Sequence, residues 1–153
     1  MAIQTDETAG LFSLKDQHGN DIALKDFKGK KVLLSFHPLA WTKVCAQQME
    51  SLEAKKDLFN DINTVAFGIS IDSVPCKRAW AKSLNIEQTQ LLCDFWPHGA
   101  VAKAYGIFIE GKGTSERANI IIDENQKVAF VKIYPISELP DIEEIVDELK
   151  KMQ

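Results

Sequence analysis

At 153 residues the chain matches one domain of about 150 residues, and a chain of this length buries roughly 68–70% of the surface its unfolded form exposes. A full hydrophobic core is therefore expected and a separate regulatory module is not; 45% apolar or aromatic and 26% charged residues, with 8 Gly and 5 Pro, set collagen, coiled coil and disorder aside. The net charge of −4 speaks against a non-specific nucleic-acid or anionic-membrane binder, because both need a basic face to neutralise phosphate.

No apolar run approaches the ~18 residues of a transmembrane helix, and Met1-Ala2-Ile3-Gln4-Thr5-Asp6 lacks the basic flank and apolar stretch of a signal peptide. A soluble, cytoplasmic protein with neither nucleic acid nor membrane as partner is expected. Three cysteines, Cys45, Cys76 and Cys93, are an odd and sparse set for a secreted disulfide framework, so each needs its own explanation.

In chain order, Leu11–Lys15 and Asp21–Leu24 flank the turn residues Asp16-Gln17-His18-Gly19-Asn20, which predicts a β-hairpin. Lys31–Phe36 is a nearly unbroken apolar run, suited to a strand covered on both faces of a parallel sheet. From Thr42 the period changes: Cys45, Met49, Leu52 and Phe59 fall on one helical face. Thr64–Ile71 alternates Val65, Phe67, Ile69 and Ile71 with the small Ala66, Gly68 and Ser70, a strand with room on one side for a close-packed helix.

Strand, helix, strand makes a right-handed βαβ unit. Ser73-Val74-Pro75 reads as a helix start, with Cys76, Ala79, Trp80 and Leu84 as its stripe. After Leu91-Leu92 come a short helix near His98–Tyr105, a strand Ala118–Ile122, a turn Asp123-Glu124-Asn125-Gln126 and a strand Val128–Tyr134, the strands forming a hairpin. A closing helix starts near Asp141, its stripe Ile142, Ile145, Val146, Leu149 and Met152, with acids leading and Lys150-Lys151 trailing as the helix dipole prefers. The order predicts an α/β fold in a single domain across residues 1–153, an N-terminal β-hairpin and a mixed β-sheet flanked by helices, compatible with a thioredoxin-like core.

The chemistry is expected at Phe36-His37-Pro38-Leu39-Ala40-Trp41-Thr42-Lys43-Val44-Cys45, a strand end, a loop and the first turn of a helix; ligands of open α/β sheets gather at such edges. A thiol in that first turn faces unpaired N–H groups and the positive end of the helix dipole, and Lys43 adds charge nearby, all of which favour the nucleophilic thiolate. Position alone also allows an inert Cys45 packed in the helical stripe, with Thr42 as a simple N-cap.

Pro38, Thr42 and Cys45 spell P-x-x-x-T-x-x-C, and Leu92-Cys93-Asp94-Phe95, Tyr105-Gly106-Ile107 and Glu116-Arg117-Ala118-Asn119-Ile120-Ile121-Ile122-Asp123 follow in order. On these motifs the chain resembles the peroxiredoxins, thiol peroxidases built on a thioredoxin-like fold, from about Phe12 to Leu149, with Cys93 where the family's L-S-D-F segment has serine. The resemblance implies that Cys45 is the peroxidatic nucleophile and reduces hydrogen peroxide or alkyl hydroperoxides through a sulfenic acid. No metal, haem or other cofactor is implied; electrons come from a dithiol donor such as a thioredoxin-like protein. Arg117, Thr42 and the Cys45 amide would stabilise the departing oxygen, Pro38 would shield the sulfenic product from water, and a homodimer is implied for short chains of this type. Gln48 stands where Glu is common in the family, so the network around Arg117 is expected to be wired without that carboxylate.

No cysteine follows Cys93, and Glu50 occupies the fifth position after Cys45, which removes two resolving sites common in the family. Either Cys76 resolves Cys45 within the chain, as in an atypical two-cysteine enzyme, or an external thiol does. Cys76 opens a helix after the neighbouring parallel strand, so both thiols are expected at the same carboxyl edge of the sheet. A disulfide needs Cα atoms within ~7 Å, and packed helix starts lie farther apart, so a first turn must unwind on oxidation.

His18, His37 and His98 are scattered and no C-x-x-C occurs, which removes the warrant for a zinc site or a thioredoxin-type reductase. His37 is expected on the surface or in packing, Cys93 to pack at a strand end, and Trp41, Trp80 and Trp96 to serve core or interface. Two rivals share the same sequence: a peroxide sensor passing its oxidation to a partner, and a non-catalytic thioredoxin-like binding module in which Cys45 is buried and unreactive.

Overall fold

A computed structural model describes residues 1–153. The N-terminal hairpin pairs β1 (Ser13–Lys15) with β2 (Asp21–Ala23), and Asp16 closes its turn by accepting the His18 and Asn20 N–H groups at 2.8 and 3.0 Å. One 3₁₀ turn later, β3 (Lys31–Phe36) is buried along its whole length, as its unbroken apolar run requires.

The single helical stripe expected through Phe59 is instead two helices, α1 (Lys43–Ala54) and α2 (Lys56–Asp61). At Lys55 the N–H bonds to Leu52 O at 3.1 Å, a 3₁₀-type closure that bends the path while keeping Phe59 buried. β4 (Thr64–Ser70) then runs parallel to β3. Its alternation works as expected: a Cβ on Gly68 would collide with Met49 Sδ of α1, so the missing side chain lets the helix approach the sheet.

α3 (Val74–Ser83) is capped by Ser73, whose hydroxyl accepts the Cys76 N–H. Its buried residues are Lys77, Trp80 and Ala81, whereas Ala79 is exposed and Cys76 and Leu84 half-buried. The expected stripe is thus rotated, because Lys77 has a buried partner in His37. β5 (Gln90–Cys93) pairs parallel to β4 and, through Lys15, antiparallel to β1.

Asp94 fixes the short α4 (Ala100–Ala104) by accepting the Val101 and Ala102 N–H groups at 3.0 and 2.9 Å. A two-stranded ribbon, β6 (Phe108–Ile109) with β7 (Thr114–Ser115), was not foreseen; two-residue strands carry no readable period. β8 (Arg117–Ile122) lies antiparallel to β3 and forms the expected hairpin with β9 (Val128–Tyr134). Asp141 caps α5 (Ile142–Lys151) on the Glu143 N–H at 3.0 Å, with acids in the first turn and lysines in the last.

The seven strands follow the order β2-β1-β5-β4-β3-β8-β9, a mixed sheet with helices on both faces. Leu33, Leu91 and Ile121 face α1, α2, α3 and α5 through Met49, Phe59, Trp80 and Ile145; Leu34, Phe36, Phe67 and Ile120 pack with Tyr105 and Val101 on the other face. Because Phe36 is level with Ile69 and Ala118, and Ser70 with Cys93, the ends of β3, β4 and β5 and the start of β8 share one edge. His37, Asp72 and Arg117 all emerge there.

Candidate active site

The loop after β3 delivers Cys45 as the third residue of α1. The first turn-closing bond of that helix is Ala46 N–H to Thr42 O at 2.9 Å, which leaves the Cys45 N–H without a backbone acceptor. Thr42 is the N-cap by backbone conformation but caps nothing with its side chain; its hydroxyl donates to Leu39 O at 2.7 Å instead. Pro38 is half-buried in the same loop.

Arg117, at the first position of β8, is 2% exposed rather than a solvated surface charge. Its Nη1 donates to Cys45 Sγ at 3.3 Å and to Gln48 Oε1 at 2.8 Å, and Nε and Nη2 both donate to Ile136 O, at 2.9 and 2.7 Å. None of the ion pairs in the chain includes Arg117. Neutral acceptors therefore solvate the guanidinium without cancelling its charge, and the Cys45 sulfur lies within its reach.

Gln48 is held from behind: Nε2 donates to Ser35 Oγ at 2.7 Å and Phe36 O at 3.1 Å. This is how the network works with an amide where the family commonly has a carboxylate. Gln48 donates on one side and accepts from Arg117 on the other, which an ionised Glu could not do. Sequence reasoning missed Ser35 and Ile136; neither lies in a readable motif, and Ile136 contributes only a carbonyl.

His37 is fully buried, on the packing side of the two roles expected for it. Its Nδ1 donates to Ser35 O at 3.3 Å and its Nε2 accepts from Lys77 Nζ at 2.6 Å. Burial first, then the charge of Lys77, holds the imidazole well below its ordinary pKa, which fits this neutral tautomer. Lys77 is also fully buried, and burial pushes its ammonium down to about 8 against the pull of Asp72. Nothing in the sequence pattern marks this pair, since Lys77 falls outside the stripe expected for this helix.

Cys76 and Cys93 differ. Burial, the largest effect, raises the Cys93 thiol to about 11, and the side chain sits at the end of β5 as a packed small residue. Cys76 is half-buried, its Sγ 3.7 Å from Asp72 Oδ1; burial and then the Asp72 charge raise its pKa, while the neighbouring Trp41 side chain pulls the other way. Trp80 is buried, but Trp41 and Trp96 are 57% and 80% exposed.

A buried thiol aimed at an unpaired guanidinium, on an α/β sheet edge, defines a thiol-chemistry site in a thioredoxin-like fold. The chain belongs to the AhpC/TSA family, whose model matches residues 5–131. Alkyl hydroperoxide reductase E of Mycobacterium tuberculosis is 35% identical over 135 residues, 88% of each chain. The mitochondrial thioredoxin-dependent peroxide reductase of Homo sapiens is 31% identical over 142 residues, 87% of this chain and 54% of that protein. The reduced 2-Cys peroxiredoxin of Plasmodium vivax superposes with a TM-score of 0.89 at 26% identity, over 97% of this chain and 81% of that one. AhpC of Enterococcus faecalis, with a TM-score of 0.91 at 21% identity over 100% and 93%, shares the fold.

The buried Lys77 has a measurable pH signature. The unfolded lysine keeps its proton to about pH 10.4, whereas the folded one releases it near 8. Between these values the unfolded state binds more protons, so stability contributed at this site rises with pH; below about pH 8 both states are protonated and the cost of the buried ammonium is carried in full. The stability of wild type relative to Lys77→Met should therefore climb between about pH 8 and 10, as read from denaturant midpoints. A difference that stays level across this window would contradict the buried-ammonium assignment.

Proposed function

We propose that this chain is a thiol-dependent peroxidase that reduces hydrogen peroxide and organic hydroperoxides at Cys45. The observation that carries this reading is the Arg117 Nη1 to Cys45 Sγ contact of 3.3 Å, made by a guanidinium with no carboxylate partner. Burial of Cys45 alone would suit an inert binding module equally well; a module of that kind has no use for an unneutralised charge aimed at its sulfur, and burying one costs several kcal/mol, roughly, unless it is well solvated by the protein.

In the reaction, a Cys45 thiolate lone pair attacks one peroxide oxygen, an S–O bond forms and the O–O bond breaks. The departing oxygen takes the bonding pair and then a proton, leaving as water or alcohol, and Cys45 becomes a sulfenic acid. Arg117 and the unpaired Cys45 N–H supply donors for that oxygen. Thr42, its hydroxyl hydrogen already given to Leu39 O, has lone pairs free to accept the peroxide O–H, and Pro38 covers the site against water. Cys76 then resolves the sulfenic acid as an internal disulfide, and a dithiol donor such as a thioredoxin-like protein reduces it. The shared carboxyl edge and the Asp72 carboxylate, which accepts from both Cys76 Sγ and the Ala40 N–H, support this pairing, because Ala40 belongs to the loop that leads into α1. One continuous seven-stranded sheet supports a single domain over residues 1–153. We place it in the cytoplasm on its sparse, unpaired cysteines; no helix is long and apolar enough to cross a membrane.

Cys45→Ser should abolish rapid peroxide consumption, and peptide mapping after one equivalent of peroxide should recover Cys45 linked to Cys76. Wild-type rates in the serine variant would overturn the assignment of Cys45, while a persistent Cys45 sulfenic acid beside a free Cys76 would mean that an external thiol resolves it. Arg117→Ala should slow peroxide attack about 10²- to 10³-fold and iodoacetamide labelling of Cys45 much less; equal losses would assign Arg117 to the thiolate alone.

The chain is also proposed to form a homodimer. Leu39, Trp41, Phe95 and Trp96 are exposed on the loops that follow β3 and β5 at the same sheet edge, apolar surface of the kind interfaces cover. Light scattering at micromolar concentration should give twice the monomer mass, and the monomer mass would refute the assembly.

A further inference from the structure

Asp72 lies two residues beyond β4, buried at 9% exposure, and the peroxide step described above does not use it. Its two oxygens have different tasks. Oδ2 accepts the Ser70 hydroxyl and, at 2.9 Å, the Ala40 N–H, and Oδ1 accepts the Cys76 thiol at 3.7 Å. Ala40 belongs to the loop that leads into α1 and Cys45, so one carboxylate touches both the Cys76 sulfur and the segment that must move to bring Cys45 to it. The other groups around that sulfur are the Trp41 side chain, the Lys77 ammonium and the Cys93 thiol.

We infer that Asp72 is the catalytic base of the resolving step: it holds Cys76 as a thiol while Cys45 reacts with peroxide, and takes the Cys76 proton when that sulfur attacks the Cys45 sulfenic acid. The inference rests on Cys76 being the resolving residue. A thiolate attacks far faster than a thiol, yet the burial and neighbouring charge at this site keep Cys76 protonated at neutral pH. A base already in contact reconciles the two. Cys76 stays a thiol, so it does not compete for peroxide, until a sulfenic acid arrives. Movement of the loop that leads into α1 takes the Ala40 N–H off Oδ2, removing a donor that favours the ionised carboxylate as Oδ1 takes the proton.

The step balances. An S–S bond forms between Cys76 and Cys45 and the sulfenic S–O bond breaks; the Cys76 sulfur is oxidised and the sulfenic sulfur reduced. The S–O electron pair leaves with hydroxide, which gains one proton from solvent to become water, while Asp72 takes one from the thiol and returns it to solvent. The sum is thiol plus sulfenic acid giving disulfide plus water.

The test is a pH profile of resolution, read by mixing reduced protein with one equivalent of hydrogen peroxide, trapping remaining sulfenic acid with dimedone at set times and mapping the peptides. Asp72→Asn keeps an oxygen for the Ala40 N–H but cannot take the proton. It should slow formation of the Cys45 to Cys76 disulfide at least tenfold near pH 6, with the rate rising about tenfold per pH unit as hydroxide replaces the base, and approach wild type at high pH. A rate that is unchanged, faster at every pH, or lowered equally at every pH would overturn the base assignment while leaving Cys76 as the resolving residue. Wild type gives an independent check should the variant not fold: its resolution rate should be nearly level from about pH 6 to 8, and a tenfold rise per pH unit there would overturn the assignment. Absence of any Cys45 to Cys76 disulfide in wild type would remove the resolving reading itself, and the base with it.

Discussion

A guanidinium sealed inside the protein without a carboxylate is the constraint on which the site depends. Removing a charge from water is costly unless the protein supplies hydrogen bonds in its place. Arg117 donates them to Ile136 O and Gln48 Oε1, both neutral, so its positive field remains available at the Cys45 sulfur. A carboxylate in the position of Gln48 would solvate the same guanidinium and also cancel part of that field. The amide keeps the geometry and the charge together, provided that Ser35 and Phe36 hold its other end.

That arrangement needs β8 to run against β3. Antiparallel pairing with Phe36 level with Ala118 puts the first residue of β8 at the edge where β3 ends, and the hairpin to β9 returns the chain so that Ile136 O reaches the same guanidinium. Parallel β3 and β4 do the complementary job: each feeds a helix from the same edge, so α1 and α3 begin side by side. The tie between their starts is a single carboxylate, Asp72, touching Ala40 on one side and Cys76 on the other. Helix ends are among the weakest-held parts of a fold, and this edge concentrates two of them around the Cys45 sulfur.

The second buried charge, Lys77, shows that tertiary partners outrank helical periodicity. An ammonium bonded to a neutral His37 and near Asp72 is satisfied enough to sit inside, and it turns α3 so that Ala79 faces solvent and Cys76 stays half-buried beside its carboxylate. A chain of contacts runs from this pair through the Ser35 carbonyl and hydroxyl to Gln48 and Arg117, so the core polar groups on both sides of Cys45 share one strand end.

Much of this is legible in the amino-acid sequence. The apolar run of β3, the large-small alternation of β4 over a close-packed α1, the Ser73 cap and the acid-to-lysine gradient of α5 are local patterns whose period or end chemistry dictates the element. The motif of Pro38, Thr42 and Cys45 marked the loop, and the Arg117 block marked the strand. The break at Lys55, the turned face of α3, the β6–β7 ribbon, the burial of His37 with Lys77, the Ile136 carbonyl and the touch of Asp72 on Cys76 were decided only by the folded chain. Periodicity reports which residues prefer water, one element at a time. Whether a charged or polar side chain can instead be buried depends on a partner tens of residues away, as 40 separate Lys77 from His37 and 69 separate Arg117 from Gln48, and only the tertiary structure brings such partners within hydrogen-bonding distance.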